Sequence, residues 1–70
     1  MSYQAAKELE ESAYYYASQA IKMDSQGSYA TAISYYQKAI ATLIKLAQLY
    51  PDYKLNKMYL ERAAAYQERV

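Results

Sequence analysis

Three groups of residues in this chain have types and spacings that chemistry could use. Glu8 and Glu11 lie one helical turn apart, Glu61 and Glu68 lie seven apart, and Tyr14, Tyr15 and Tyr16 stand in a row. Acid–base catalysis needs carboxylates that converge on a reacting group. Glu8 and Glu11 on an exposed first helix offer only a surface pair. Glu61 and Glu68 suit a solvated face, or contact with basic residues of a partner. Adjacent helical residues point about 100° apart, so the three tyrosines cannot all be buried. Tyr16 is expected in the core, Tyr14 beside a third helix, and Tyr15 outermost. Bases can stack on such rings, but the Lys or Arg clusters that track a phosphate backbone do not flank them.

The rest of the composition narrows the chemistry further. The 70 residues contain no histidine and no cysteine. The commonest general base and metal ligand is therefore missing, and no disulfide staples the fold. Neither a metal nor any other cofactor is expected. The net charge is +1 and no basic stripe occurs, so a nucleic-acid partner is not expected. No apolar run approaches the roughly 20 residues needed to span a bilayer. The first residues, Met1-Ser2-Tyr3-Gln4, lack the basic and apolar regions of a signal peptide. A cytoplasmic, monomeric, non-enzymatic domain without membrane insertion is the expectation.

What positions these side chains is a set of three helices. One glycine and one proline punctuate the chain. Gly27 is placed to end a first helix over about 2–26, and Ser28 to cap a second over about 29–50. Pro51 stops the second, because the residue before proline resists helical geometry. Asp52 can cap a third helix over about 53–69.

The first helix carries an apolar stripe of Ala6, Leu9, Ala13, Tyr16, Ala20 and Met23. A second row of Ala5, Tyr14, Ala17 and Ile21 widens it. Glu8, Glu10 and Glu11 lie where they are expected to complement the helix dipole. The second helix has two adjacent rows, Ala32, Tyr36, Ala39, Leu43, Leu46, Tyr50 and Ile33, Ile40, Ile44, Ala47. So wide an apolar arc requires neighbours on two sides. The third helix turns Leu55, Tyr59, Ala63 (or Arg62) and Tyr66 inward and leaves Leu60 off the stripe. Short loops force antiparallel neighbours. The expectation is one all-α domain over 1–70, an antiparallel up-down-up three-helix bundle. Two surface grooves flank its third helix.

Two families share features of this pattern. The segment Gly27-Ser28-Tyr29-Ala30-Thr31-Ala32-Ile33-Ser34-Tyr35-Tyr36-Gln37-Lys38-Ala39-Ile40 resembles both the tetratricopeptide repeat and the MIT (microtubule-interacting and trafficking) domain. The tetratricopeptide pattern would place a proline near Ile44, and stacked repeats need about three units. Here the helix continues and there is one unit. Tyr59-Leu60-Glu61-Arg62-Ala63 resembles the third-helix stretch of MIT domains in AAA ATPases that disassemble ESCRT-III filaments. The resemblance runs from about Ala13 to Arg69. The lack of cysteine and the abundance of tyrosine look more like archaeal members. In that family the domain precedes an ATPase, and Met1 fits that placement. No phosphate-binding loop occurs in these residues.

The resemblance implies an adaptor that docks short C-terminal motifs of ESCRT-III-like proteins. A helical motif would lie between helices two and three, and an extended, proline-containing motif between helices one and three. The implied peptide-binding residues are Ala17, Ala20 and Asp24 on helix one, with Tyr59, Leu60, Ala63, Ala64 and Tyr66 on helix three. Leu60 aligns with the leucine touched by helical motifs, and Ala17 with the position facing extended ones. Asp24 could pair with a ligand lysine. Ala64 and Ala65 keep the outer surface of helix three low, and helix propensity explains them equally well. The alternative is a tetratricopeptide-like scaffold fragment for an unrelated partner.

Overall fold

The computed structural model describes residues 3–49 and 56–70. They form α1 (Tyr3–Ser25), α2 (Tyr29–Leu49) and α3 (Asn56–Arg69). The expectations for Tyr50, Pro51, Asp52 and Leu55 lie outside the described residues.

The turn between α1 and α2 follows from Gly27. Its φ is +81°, a left-handed conformation that side chains disfavour. In that conformation the Gly27 amide donates to the Asp24 carbonyl at 3.1 Å, and the Ser28 amide to the Met23 carbonyl at 2.8 Å. These two bonds satisfy carbonyls that the helix end would leave orphaned. The Ser28 carbonyl then accepts the first bond of α2, from Ala32 at 2.9 Å. No neighbouring atom would meet a β-carbon at Gly27. Gly27→Ala should therefore cost only the backbone strain, about 1 kcal/mol. Gly27→Asn should cost less, because asparagine tolerates this region. Urea denaturation of the two variants checks the order.

α2 lies at the centre. Its Ala32, Tyr36, Ala39, Leu43, Leu46 and Ala47 are all buried. One buried cluster joins Leu43, Leu46 and Ala47 to Ala13 of α1 and to Tyr59 and Ala63 of α3. A second joins Ala20 to Ala32 and Tyr36. Each buried leucine contributes about 1.5–3 kcal/mol of burial free energy. The alanines let α1 and α2 approach closely.

α1 packs on α2 and α2 packs on α3, yet no Cα of α1 comes within 8 Å of one of α3 among the described residues. The bundle is flattened to match, 21 Å across and 13 Å thick, along a 39 Å length. A symmetrical three-helix bundle would measure nearly the same in both short directions. The two outer helices are linked by side chains alone. Glu10 meets Tyr59, and further along Asp24 meets Arg69. The order is the same on both helices, so α1 and α3 run parallel and α2 runs against them.

Several expectations change here. Ala5, Tyr14 and Ile21 are exposed, so of the second row on α1 only Ala17 is buried. Tyr14, at 76%, is more exposed than Tyr15 at 52%. The reason is that α3 stands away from α1 and leaves Tyr14 uncovered. Tyr16 is half-buried in the seam between α1 and α2, outside the core proper. Ile44 is exposed as well. The first turn of α1 contains no acid. Glu8, Glu10 and Glu11 lie beyond the reach of its dipole, which fades within one turn.

Candidate peptide-binding site

The gap between α1 and α3 forms a furrow whose floor belongs to α2. Leu43 and Leu46 form the base, and Ala13 and Ala17 form the α1 wall. Met58, Tyr59, Arg62 and Tyr66 form the α3 wall, and Glu10 and Tyr14 edge the opening. Small residues on one wall keep the furrow open. Ile21, seven residues after Tyr14 and on the same face of α1, is 55% exposed. The α1 rim thus carries two exposed apolar side chains in line.

Polar contacts cross the furrow at two levels. The Tyr59 hydroxyl donates to Glu10 Oε2 at 2.5 Å. Arg69 donates to Asp24 Oδ2 through Nε at 3.0 Å and through Nη2 in an ion pair. Fourteen residues separate Glu10 from Asp24, about 21 Å of helix. The Tyr36 hydroxyl also donates to Asp24 Oδ2, at 3.2 Å.

The hydrogen bonds from Arg69 hold the Asp24 carboxyl below its ordinary pKa of 3.8, against an opposing effect of burial. The Tyr36 hydroxyl and the Arg69 charge act in the same direction as those bonds. The Asp24 carboxylate in turn raises the Arg69 guanidinium above its ordinary value. A carboxyl with a depressed folded-state pKa contributes stability that is complete above its unfolded value. That stability is lost as pH falls through the lower folded value. Asp24→Asn should therefore be less stable than wild type near neutrality, with the difference shrinking below about pH 4. Thermal melts of both proteins across that range check the sign.

The residues expected from the sequence divide into three sets. Ala17, Tyr59 and Tyr66 come together in the furrow, and Asp24 closes one end of it. Ala20 and Ala63 are packed in the core, where they set how closely the helices approach. Leu60 and Ala64 are exposed on the other flank of α3. Two residues from Arg62 is about 200° around a helix, so Leu60 faces away from the furrow. It lies toward the flank of α2 bearing Ile33, Ile40 and Ile44. That flank is opposite to Tyr35 and Lys38, which meet α1.

The sequence reading missed Glu10, Ala13, Tyr14, Leu43, Leu46, Met58 and Arg62 as lining residues. The ambiguity between Arg62 and Ala63 on the inward stripe was the one available signal. Arg62 sits between that stripe and solvent, where a groove wall would be.

The seam between α1 and α2 is closed by contrast. Tyr15 and Tyr16 meet edge to face at 5.7 Å, and both rings pack near Tyr35. Lys38 Nζ sits 5.8 Å from the Tyr16 ring centroid and 5.5 Å from that of Tyr35. The rings cover this seam and present no row of parallel faces for bases.

Comparison with curated proteins finds no match. A family model does match: the MIT (microtubule interacting and transport) domain, over residues 10–70. The chain belongs to the MIT family. MIT domains are non-catalytic helical modules that bind peptide motifs of partner proteins. The match takes in α1 from Glu10 onward and all of α2 and α3, and every described residue that lines the furrow falls within it. The helices leave an open furrow between α1 and α3. No helix among the described residues is long and apolar enough to cross a membrane.

Proposed function

We propose that this MIT domain recruits an AAA ATPase, carried on the same polypeptide, to ESCRT-III-like filament proteins in the cytoplasm. It does so by docking an extended, proline-containing C-terminal motif in the furrow between α1 and α3. One observation carries this choice of groove. The backbones of α1 and α3 stand apart, with no Cα pair within 8 Å among the described residues, and their gap has an apolar floor and an exposed apolar rim. An extended segment suits a furrow of this kind. Proline pre-orders its backbone, which lowers the entropy lost on docking. Alternate side chains can then fill the floor between the Glu10–Tyr59 and Asp24–Arg69 crossings.

The resemblance of Tyr59-Leu60-Glu61-Arg62-Ala63 to the family's ATPase members supports the partner class. That resemblance favours a role in cell division or protein transport, and the lack of cysteine with the abundance of tyrosine favours an archaeal origin. Fluorescence anisotropy with labelled C-terminal peptides of ESCRT-III-like proteins tests the proposal. Proline-containing peptides should bind with an affinity of about micromolar, typical of a small groove. Saturable binding by helical peptides alone would refute this choice of groove.

A second reading has its own observation. Leu60 is 50% exposed beside Ala64, on the flank of α3 nearest Ile40 and Ile44. An amphipathic helix could lay its leucines there. Leu60→Asp should leave far-UV circular dichroism unchanged and weaken only helical peptides. Equal weakening of extended peptides would count against two separate grooves.

A further inference from the structure

We infer that Arg62 selects, among docked segments, those carrying a carboxylate side chain about a third of the way along the furrow from the Glu10–Tyr59 crossing. The inference rests on the reading of the furrow as the site for an extended segment. Three charged side chains other than Arg62 border or close this furrow, and each is already engaged. Glu10 accepts from the Tyr59 hydroxyl, and Asp24 and Arg69 are paired with each other. Arg62 lines the α3 wall, is exposed, and has no carboxylate within ion-pair distance among the described residues.

The position of Arg62 gives the charge a place along the ligand. It lies three residues beyond Tyr59, about 4.5 Å of helix past the Glu10–Tyr59 crossing. It lies seven residues, about 10.5 Å, before Arg69 at the far crossing. Its neighbours one turn away on the same flank are Met58 and Tyr66, which bring no carboxylate to it. A peptide in the furrow would bury apolar residues against Leu43 and Leu46 beside this wall. A glutamate or aspartate at that level would meet a guanidinium able to make two parallel hydrogen bonds. A lysine there would meet a like charge. Arg62 thus acts as a specificity-determining residue, while the apolar floor supplies the affinity.

The test uses extended peptides that alternate proline with aliphatic residues and carry one glutamate, moved stepwise along the sequence. Each has a glutamine counterpart, and one has a lysine counterpart. Amide chemical-shift mapping locates binding, and anisotropy measures it. At one register the glutamate peptide should bind wild type about threefold more tightly than its glutamine form, the scale of an exposed ion pair. The difference should fade in high salt. Arg62→Gln should abolish it, and Arg62→Glu should make the lysine peptide the preferred one. Peptides that bind in the furrow with no difference between glutamate and glutamine would overturn the role of Arg62 and leave the furrow reading standing. Binding outside the furrow, or no binding at all, would overturn both.

Discussion

Tyr36→Ala should remove a large part of the protein's folding stability, whereas Tyr36→Phe should leave most of it. Tyr36 is 4% exposed and sits at the centre of α2. Its ring packs with Ala20 and Ala32, and its centroid lies 5.6 Å from that of Tyr66 on α3. Truncating a buried aromatic ring to alanine costs about 3–5 kcal/mol in lost transfer energy and cavity. A 70-residue domain has about 4–10 kcal/mol in total. The cavity therefore removes a large part of the whole. Tyr36→Phe keeps the ring and loses only the hydrogen bond to Asp24. That should cost about 0.5–1.5 kcal/mol, because Arg69 still partners the carboxylate. Urea titration followed by circular dichroism separates the two. Equal losses from both variants would show that the hydroxyl, and not the ring, holds this region together.

The second large effect concerns binding. Ala17→Leu should weaken an extended ligand at least tenfold with little change in fold stability. Ala17 is buried at 7%, yet one side of it faces the open furrow. A leucine can extend into that space instead of into the packed interior. Overpacking a closed core costs about 1–3 kcal/mol, so a loss below about 1 kcal/mol would confirm that the space is open. The added side chain would occupy the floor where a ligand residue must sit. Should the variant prove unstable, Tyr14→Ala serves the same purpose. Tyr14 is so exposed that its truncation should alter stability by less than about 0.5 kcal/mol. It should still weaken the ligand by removing the apolar rim. Unchanged binding by both variants would mean that the furrow is not the site.

The centre of the fold was legible in the sequence because its signals are local. Every described residue of the α2 stripe Ala32, Tyr36, Ala39, Leu43 and Leu46 is buried. Apolar residues at three- and four-residue intervals leave little choice of face. Gly27 was equally legible, since a glycine between two periodic segments ends a helix in the left-handed region. The burial of Tyr14, Tyr15 and Tyr16 was not legible. Steps of 100° order residues around α1 but do not fix how far away α3 stands. The Asp24–Arg69 pair joins residues 45 apart, and no helical period links them. Glu10 and Tyr59, 49 apart, are linked by the same tertiary placement. The proposed site is the space between two helices that only side chains connect. Its floor comes from residues that the sequence marks only as core.

Intermolecular nuclear Overhauser contacts between the domain and a bound proline-containing peptide measure the occupancy of that space directly. The peptide's proline and aliphatic protons should show contacts to Tyr14 and Ala17 on one side and to Met58 and Tyr66 on the other, with Leu46 beneath. Contacts to Leu60 and Ile44, with none to Ala17 or Tyr66, would place the ligand on the opposite flank of α3 and contradict the account.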